Sequence, residues 1–67
     1  MAPIEKMAAT LKRLRERRGL TQEQLAEAAG ISRTYLARIE TAKHDPTLTI
    51  IEKLAKALKV KPAELLK

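Results

Sequence analysis

The chain of 67 residues has no cysteine, no tryptophan and no phenylalanine, one tyrosine, two glycines and three prolines. Without cysteine, neither disulfides nor a cysteine-based zinc site can support so small a core, and the composition fits a reducing cytosol. With Tyr35 as the one aromatic residue, base stacking of the kind used on single strands has almost nothing to work with. No stretch approaches the roughly 18 continuous apolar residues of a membrane span, and Met1-Ala-Pro-Ile-Glu-Lys6 contains no apolar core of a secretion signal, so neither membrane insertion nor secretion is expected. No segment alternates with period two, which excludes a strand reading. No nucleophile paired with a base, metal-ligand cluster or phosphate-binding glycine loop is present, so an enzyme, a metal site, a cofactor and a small-molecule ligand are not expected.

What the chain does have is positive charge. Fourteen Lys and Arg stand against eight Asp and Glu, a formal charge of +6, and such a surplus favours a polyanion as partner. The charge is sorted by segment. Residues 1–19 carry Lys6, Lys12, Arg13, Arg15, Arg17 and Arg18 against Glu5 and Glu16, whereas 20–31 carry only Glu23 and Glu27. A chain of this length forms one domain, expected over 1–67, and a core of this size needs every apolar stripe it has.

Five helices account for the apolar pattern. Leu11 and Leu14, with Met7 or Ala8 one turn earlier, predict a first helix from about Ile4 to Arg18, stopped by Gly19 after a basic last turn. Thr21-Gln-Glu-Gln24 is a capping box, and Leu25, Ala26 and Ala29 continue it into a short helix ended by Gly30. Ser32 caps a third helix from Arg33 to about Thr41, with Leu36, Ile39 and Glu40 on one side. Ala42-Lys-His-Asp-Pro46 reads as a loop, because the residue before proline disfavours helix. Thr47 caps a fourth helix with the stripe Leu48, Ile51, Leu54, Ala55 and Leu58, and Pro62 opens a short fifth helix carrying Leu65 and Leu66.

The second and third helices, joined through Ala29-Gly-Ile31, make a helix-turn-helix pattern over about 21–41. Gly30 suits the left-handed turn, and Ile31, small Ala26 and Leu36 are placed to fill the angle. By residue pattern alone, this is either a helical hairpin in a small bundle or a nucleic-acid reader. At about 100° per residue, Thr34, Ala37, Arg38 and Thr41 project away from the Leu36 side, with Arg33 at its N-terminal edge. Gln22 begins helix two, where unpaired amides and the helix dipole favour a phosphate. Tyr35 falls between the two sides, either as a half-buried packing ring or as a hydroxyl donor to phosphate, and Lys43 and His44 in the loop are further phosphate candidates.

Leu11-Lys-Arg-Leu-Arg-Glu-Arg-Arg-Gly-Leu-Thr-Gln-Glu-Gln-Leu-Ala26, followed by Gly30-Ile-Ser-Arg-Thr-Tyr-Leu36 and Ile39-Glu40, resembles the Cro/C1-type (XRE-like) helix-turn-helix domain of phage repressors and bacterial regulators. The likeness runs from about Leu11 to Leu66 and takes in Pro46-Thr-Leu48 and Leu54-Ala-Lys-Ala-Leu58. It departs at Ala42, where the family usually has glycine. The resemblance implies an all-α, five-helix, lambda-repressor-like fold and a sequence-specific regulator of transcription, a repressor by expectation, that is cytoplasmic and bacterial, archaeal or phage-encoded. It implies helix three in the major groove of a double-stranded DNA operator. Arg33, Thr34 and Arg38 would contact bases, a task suited to bidentate arginine on guanine and to threonine on thymine. Gln22, with Tyr35, Thr41, Lys43 and His44 as further candidates, would hold phosphates. The family also places a partly buried ion pair at Arg15 and Glu40, tying helix one to helix three. It usually works as a homodimer on half-sites about 34 Å apart, for which Ile50, Leu54 and Leu66 are the candidate interface. The competing expectation is an antitoxin or adaptor module that uses the same fold to hold a protein.

Overall fold

The computed structural model describes residues 3–66. Its elements are α1 (Pro3–Arg17), α2 (Gln22–Ala29), α3 (Arg33–Glu40), α4 (Leu48–Leu58) and α5 (Pro62–Leu66). All regular structure among the described residues is helical. Helix one begins and ends one residue earlier than expected, because Gly19 draws Arg18 into the closing turn.

Helix starts follow the capping chemistry of the sequence. The Thr21 hydroxyl accepts from the amide of Gln24 at 3.0 Å, and the Gln24 side chain accepts from the amide of Thr21 at 2.8 Å, which completes the capping box. Ser32 and Thr47 accept in the same way from the amides of Tyr35 and Ile50.

Helix ends share one device. After α1, α2, α3 and α4 a single residue turns left-handed, and its amide and the next one bond back to carbonyls of the last turn. At α2, Gly30 (φ 72°) and Ile31 donate to Glu27 and Ala26; at α3, Ala42 (φ 60°) and Lys43 donate to Ile39 and Arg38. This is the Schellman pattern. Glycine fills the left-handed position after α1 and α2, but Ala42 and Lys59 fill it after α3 and α4. The turn that the family makes with glycine is therefore made at position 42 with a side chain that strains it.

One core cluster draws on all five helices: Met7 and Leu11; Leu25, Ala26 and Ala29; Leu36 and Ile39; Ile51, Leu54, Ala55 and Leu58; and Leu65. Helix α2 packs on both α3 and α4, α1 bridges α3 and α5, and α5 closes against α4. Ala26 lies buried in the angle between α2 and α3, and Ile31 packs over it half-buried, as the pattern implied. Leu48 is different. It was expected on the α4 stripe but is 60% exposed, because it stands at the first helical position, about 70° from the centre of the buried Ile51–Leu58 row.

Candidate nucleic-acid interface

Helix α3 has two unlike sides. Leu36, Ile39 and Glu40 are buried, whereas Arg33, Thr34, Arg38 and Thr41 are exposed and Tyr35 is half-buried. None of the described acidic groups forms an ion pair with Arg33 or Arg38. Thr34 and Arg38 stand one turn apart on the outward face, and Arg33 leans to the edge nearer α2, where it lines a shallow hollow with Arg15, Thr21, Gln22 and Glu23. The structure thus brings Arg33 and Gln22, eleven positions apart in sequence, to one place at the starts of α3 and α2.

Beneath that hollow lies the Arg15–Glu40 pair. Arg15 Nε donates to Glu40 Oε2 at 2.7 Å and Arg15 Nη2 to Glu40 Oε1 at 3.1 Å, the two-pronged geometry in which a guanidinium matches a carboxylate. Both residues are more than nine-tenths buried. The hydrogen bonds from Glu40 raise the Arg15 guanidinium above its ordinary pKa, outweighing the desolvation that lowers it.

Two further bonds were not foreseen. Arg15 Nη1 donates to the carbonyl of Leu20 at 2.8 Å, pinning the α1–α2 turn, and the Gln22 side-chain amide donates to Glu40 Oε1 at 3.1 Å. Three helices therefore meet at one carboxylate, and Arg15 ties the α1–α2 turn to the same junction. Gln22 has a second amide hydrogen directed by the first bond, so its side chain is oriented before any ligand arrives. No pattern in the sequence signals this contact, because Gln22 and Glu40 lie 18 positions apart and belong to different helical periods. Among the described residues, no buried side-chain polar atom is left without a partner.

At the opposite edge of α3, the Tyr35 hydroxyl and His44 Nε2 lie 3.0 Å apart, with the rings edge to face at 4.8 Å. The packing reading of Tyr35 is the one the structure shows: its ring lies half-buried on the core cluster, and its hydroxyl is paired with His44 of the loop. Lys43 is exposed on that loop. Thr41 is less available than expected. Helix α3 ends at Glu40, and the Thr41 hydroxyl proton is committed to the carbonyls of Ala37 (2.9 Å) and Arg38 (3.3 Å), so a phosphate contact there would need a different rotamer.

The three interface candidates do not form one patch. Leu54 is fully buried, at 0% exposure, and belongs to the core; on a helix packed by α2 on one flank and α5 on the other, its central position leaves it nothing to offer a second chain. Ile50 is half-buried and, two turns before Ala57, shares the flank that Ala57 presents to the end of α2. Leu66 is 55% exposed and borders a cleft with Pro3, Ile4, Met7, Asp45 and Ile51.

The helix-turn-helix family model matches residues 11–65. The chain belongs to the Cro/C1-type (XRE-like) helix-turn-helix family. The immunity repressor protein of Bacillus phage phi105 is 50% identical over 48 residues, which cover 72% of this chain and 33% of the phage protein. The chain thus spans about a third of the length of that relative. The restriction-modification controller protein C.AhdI from Aeromonas hydrophila superimposes with a TM-score of 0.93 at 38% identity, covering 97% of this chain and 98% of that one. The biofilm regulator SinR, solved in complex with DNA, superimposes with a TM-score of 0.87 at 31% identity, covering 91% and 98%. Family relatives come from bacteria, archaea and a phage. Among the described residues, no helix is long and apolar enough to cross a membrane.

Proposed function

We propose that the chain is a sequence-specific regulator of transcription, acting as a repressor, that reads double-stranded DNA with α3 in the major groove. The observation that carries this reading is the division of α3: Leu36, Ile39 and Glu40 fasten one side, leaving Arg33, Thr34 and Arg38 exposed on an immobilised helix with no internal task. Side chains held that way can discriminate base edges, because little of their binding energy is lost to ordering the scaffold. Gln22, Tyr35, Lys43 and His44 flank the helix on both sides, where the duplex backbone would run. A relative solved on DNA and a phage relative named a repressor support the same reading.

A single α3 reads only a few base pairs, so we infer a two-fold dimer on half-sites about one helical turn apart. Leu66, exposed on α5, is its candidate contact, with the outer edge of Ile50 secondary. Selection of binding sites from random duplexes, followed by salt titration of the selected site, tests the function. The expected result is a paired half-site and an affinity that falls steeply with salt. Arg33→Ala should flatten preference at one position of each half-site while leaving others intact. Enrichment of no sequence, with weak salt dependence, would refute the reading.

A further inference from the structure

Tyr35 and His44 enter the sequence as two separate phosphate candidates, nine positions apart. In the structure they are one hydrogen-bonded unit joining the edge of α3 to the α3–α4 loop, with Tyr35 Oη and His44 Nε2 at 3.0 Å and both side chains half-buried. Proton arithmetic decides what such a unit can offer. A phenol has one O–H, and a phosphate diester only accepts. With a neutral imidazole whose Nε2 carries the lone pair, the Tyr35 proton points at His44 and none is left for a phosphate. With an imidazolium, Nε2 carries a proton that must be donated to the Tyr35 oxygen, and the hydroxyl proton is turned outward.

We propose that His44 is a positioning residue for Tyr35: neutral, with its proton on Nδ1, it accepts the phenol's hydrogen bond at Nε2; on protonation it donates to the phenol oxygen, releases the hydroxyl to a backbone phosphate of the duplex, and so tightens DNA binding as the medium becomes more acidic. The inference rests on the DNA reading above and deepens it. The step is balanced: one proton is taken from solvent by the imidazole, and the phenol proton is redirected without being lost. The charged residues nearest the pair along the chain are Lys43 and Asp45, which flank His44 on the loop, and Arg38, one turn after Tyr35 on α3. The cleft that receives Asp45 is otherwise lined by Pro3, Ile4 and Met7 of α1, Ile51 of α4 and Leu66 of α5, which carry no charge. Between pH 5.5 and 8, imidazole is the side chain that changes its charge, whereas carboxylates, ammonium and guanidinium groups keep theirs.

The test measures binding of the selected duplex by fluorescence anisotropy from pH 5.5 to 8.0 at constant ionic strength. It compares the native chain, His44→Gln and Tyr35→Phe, each checked for native helix content by circular dichroism. Glutamine keeps a polar partner that does not titrate; phenylalanine keeps the ring packed and removes only the hydroxyl. The native chain is expected to bind about threefold to tenfold more tightly per half-site at pH 5.5 than at 8.0, the gain of one hydrogen bond to a charged group. Both variants should lose that difference. A native chain whose affinity does not change with pH overturns the proposal while leaving the DNA reading intact, and so does a Tyr35→Phe variant with the full native pH dependence, which would reduce His44 to a charge acting alone. Failure of the native chain to bind any duplex at any pH overturns the DNA reading and the inference together.

Discussion

Removing the Glu40 carboxylate tests the central structural claim, that α3 is held at its reading angle by a buried polar junction. In Glu40→Ala the guanidinium of Arg15 loses two of its three hydrogen bonds, at 2.7 and 3.1 Å, while its side chain stays mostly buried, and Gln22 loses its bond at 3.1 Å. Breaking a buried pair by deleting one member costs about 3–5 kcal/mol, because an uncompensated charge is left behind. For a domain of this size, each kcal/mol lowers Tm by roughly 4–8 °C, so a fall of about 12 °C or more is expected. The loss should not vary with pH through Arg15: its pKa is raised in the folded state, so its contribution is fully present below the unfolded value and disappears only as pH rises through the folded one, far above neutrality. Thermal unfolding followed by circular dichroism at pH 6, 7 and 8 measures both points. Arg15→Met with Glu40→Leu is the informative companion, since replacing both charges by apolar groups removes the unpaired guanidinium and should recover most of the loss. A Glu40→Ala variant that melts within about 4 °C of the native chain would falsify the claim that the junction carries stability.

Ala42→Gly should raise stability by about 0.5–1 kcal/mol, because release of left-handed strain of roughly 1–2 kcal/mol exceeds the added chain entropy of glycine in the unfolded state; chemical denaturation that shows no gain would mean that the turn at φ 60° is unstrained. Leu66→Asp should convert a dimer into a monomer in sedimentation runs at micromolar concentration without loss of helix, because Leu65, not Leu66, occupies the core; an unchanged association state places the dimer contact elsewhere.

Local chemistry was legible in the sequence wherever partners lie within one turn. The Thr21 capping box, the Ser32 and Thr47 caps, the Gly19 and Gly30 stops and the Leu36–Ile39 stripe all depend on neighbours three or four positions away, and all stand where the pattern put them. Leu48 and Leu54 show the limit of periodicity. Both satisfy a helical repeat, but what covers each position is set by α2 and α5, so the same repeat puts Leu54 at the centre of the core and Leu48 in solvent. The Arg15–Glu40 pairing spans 25 positions and is legible only through the family resemblance. Gln22 joining Glu40, and His44 joining Tyr35, were reached by neither route, since hydrogen bonds across 18 and 9 positions leave no mark in composition or period.

These two unforeseen bonds bear on how α3 is held. Leu36 and Ile39 are buried beneath the helix and resist its lifting, but apolar contacts are non-directional and permit rotation about the helix axis. Rotation is what would carry Arg33, Thr34 and Arg38 out of register with base edges. The polar ties stand on either side of that axis: Glu40 to Arg15 and Gln22 on one edge, Tyr35 to His44 on the other. Directional bonds at both edges oppose rotation in both senses, whereas a single tie would act as a hinge. A helix of eight residues is too short to hold its own orientation through packing area alone, and here its aim is set from the side by charged and polar contacts contributed by α1, α2 and the following loop.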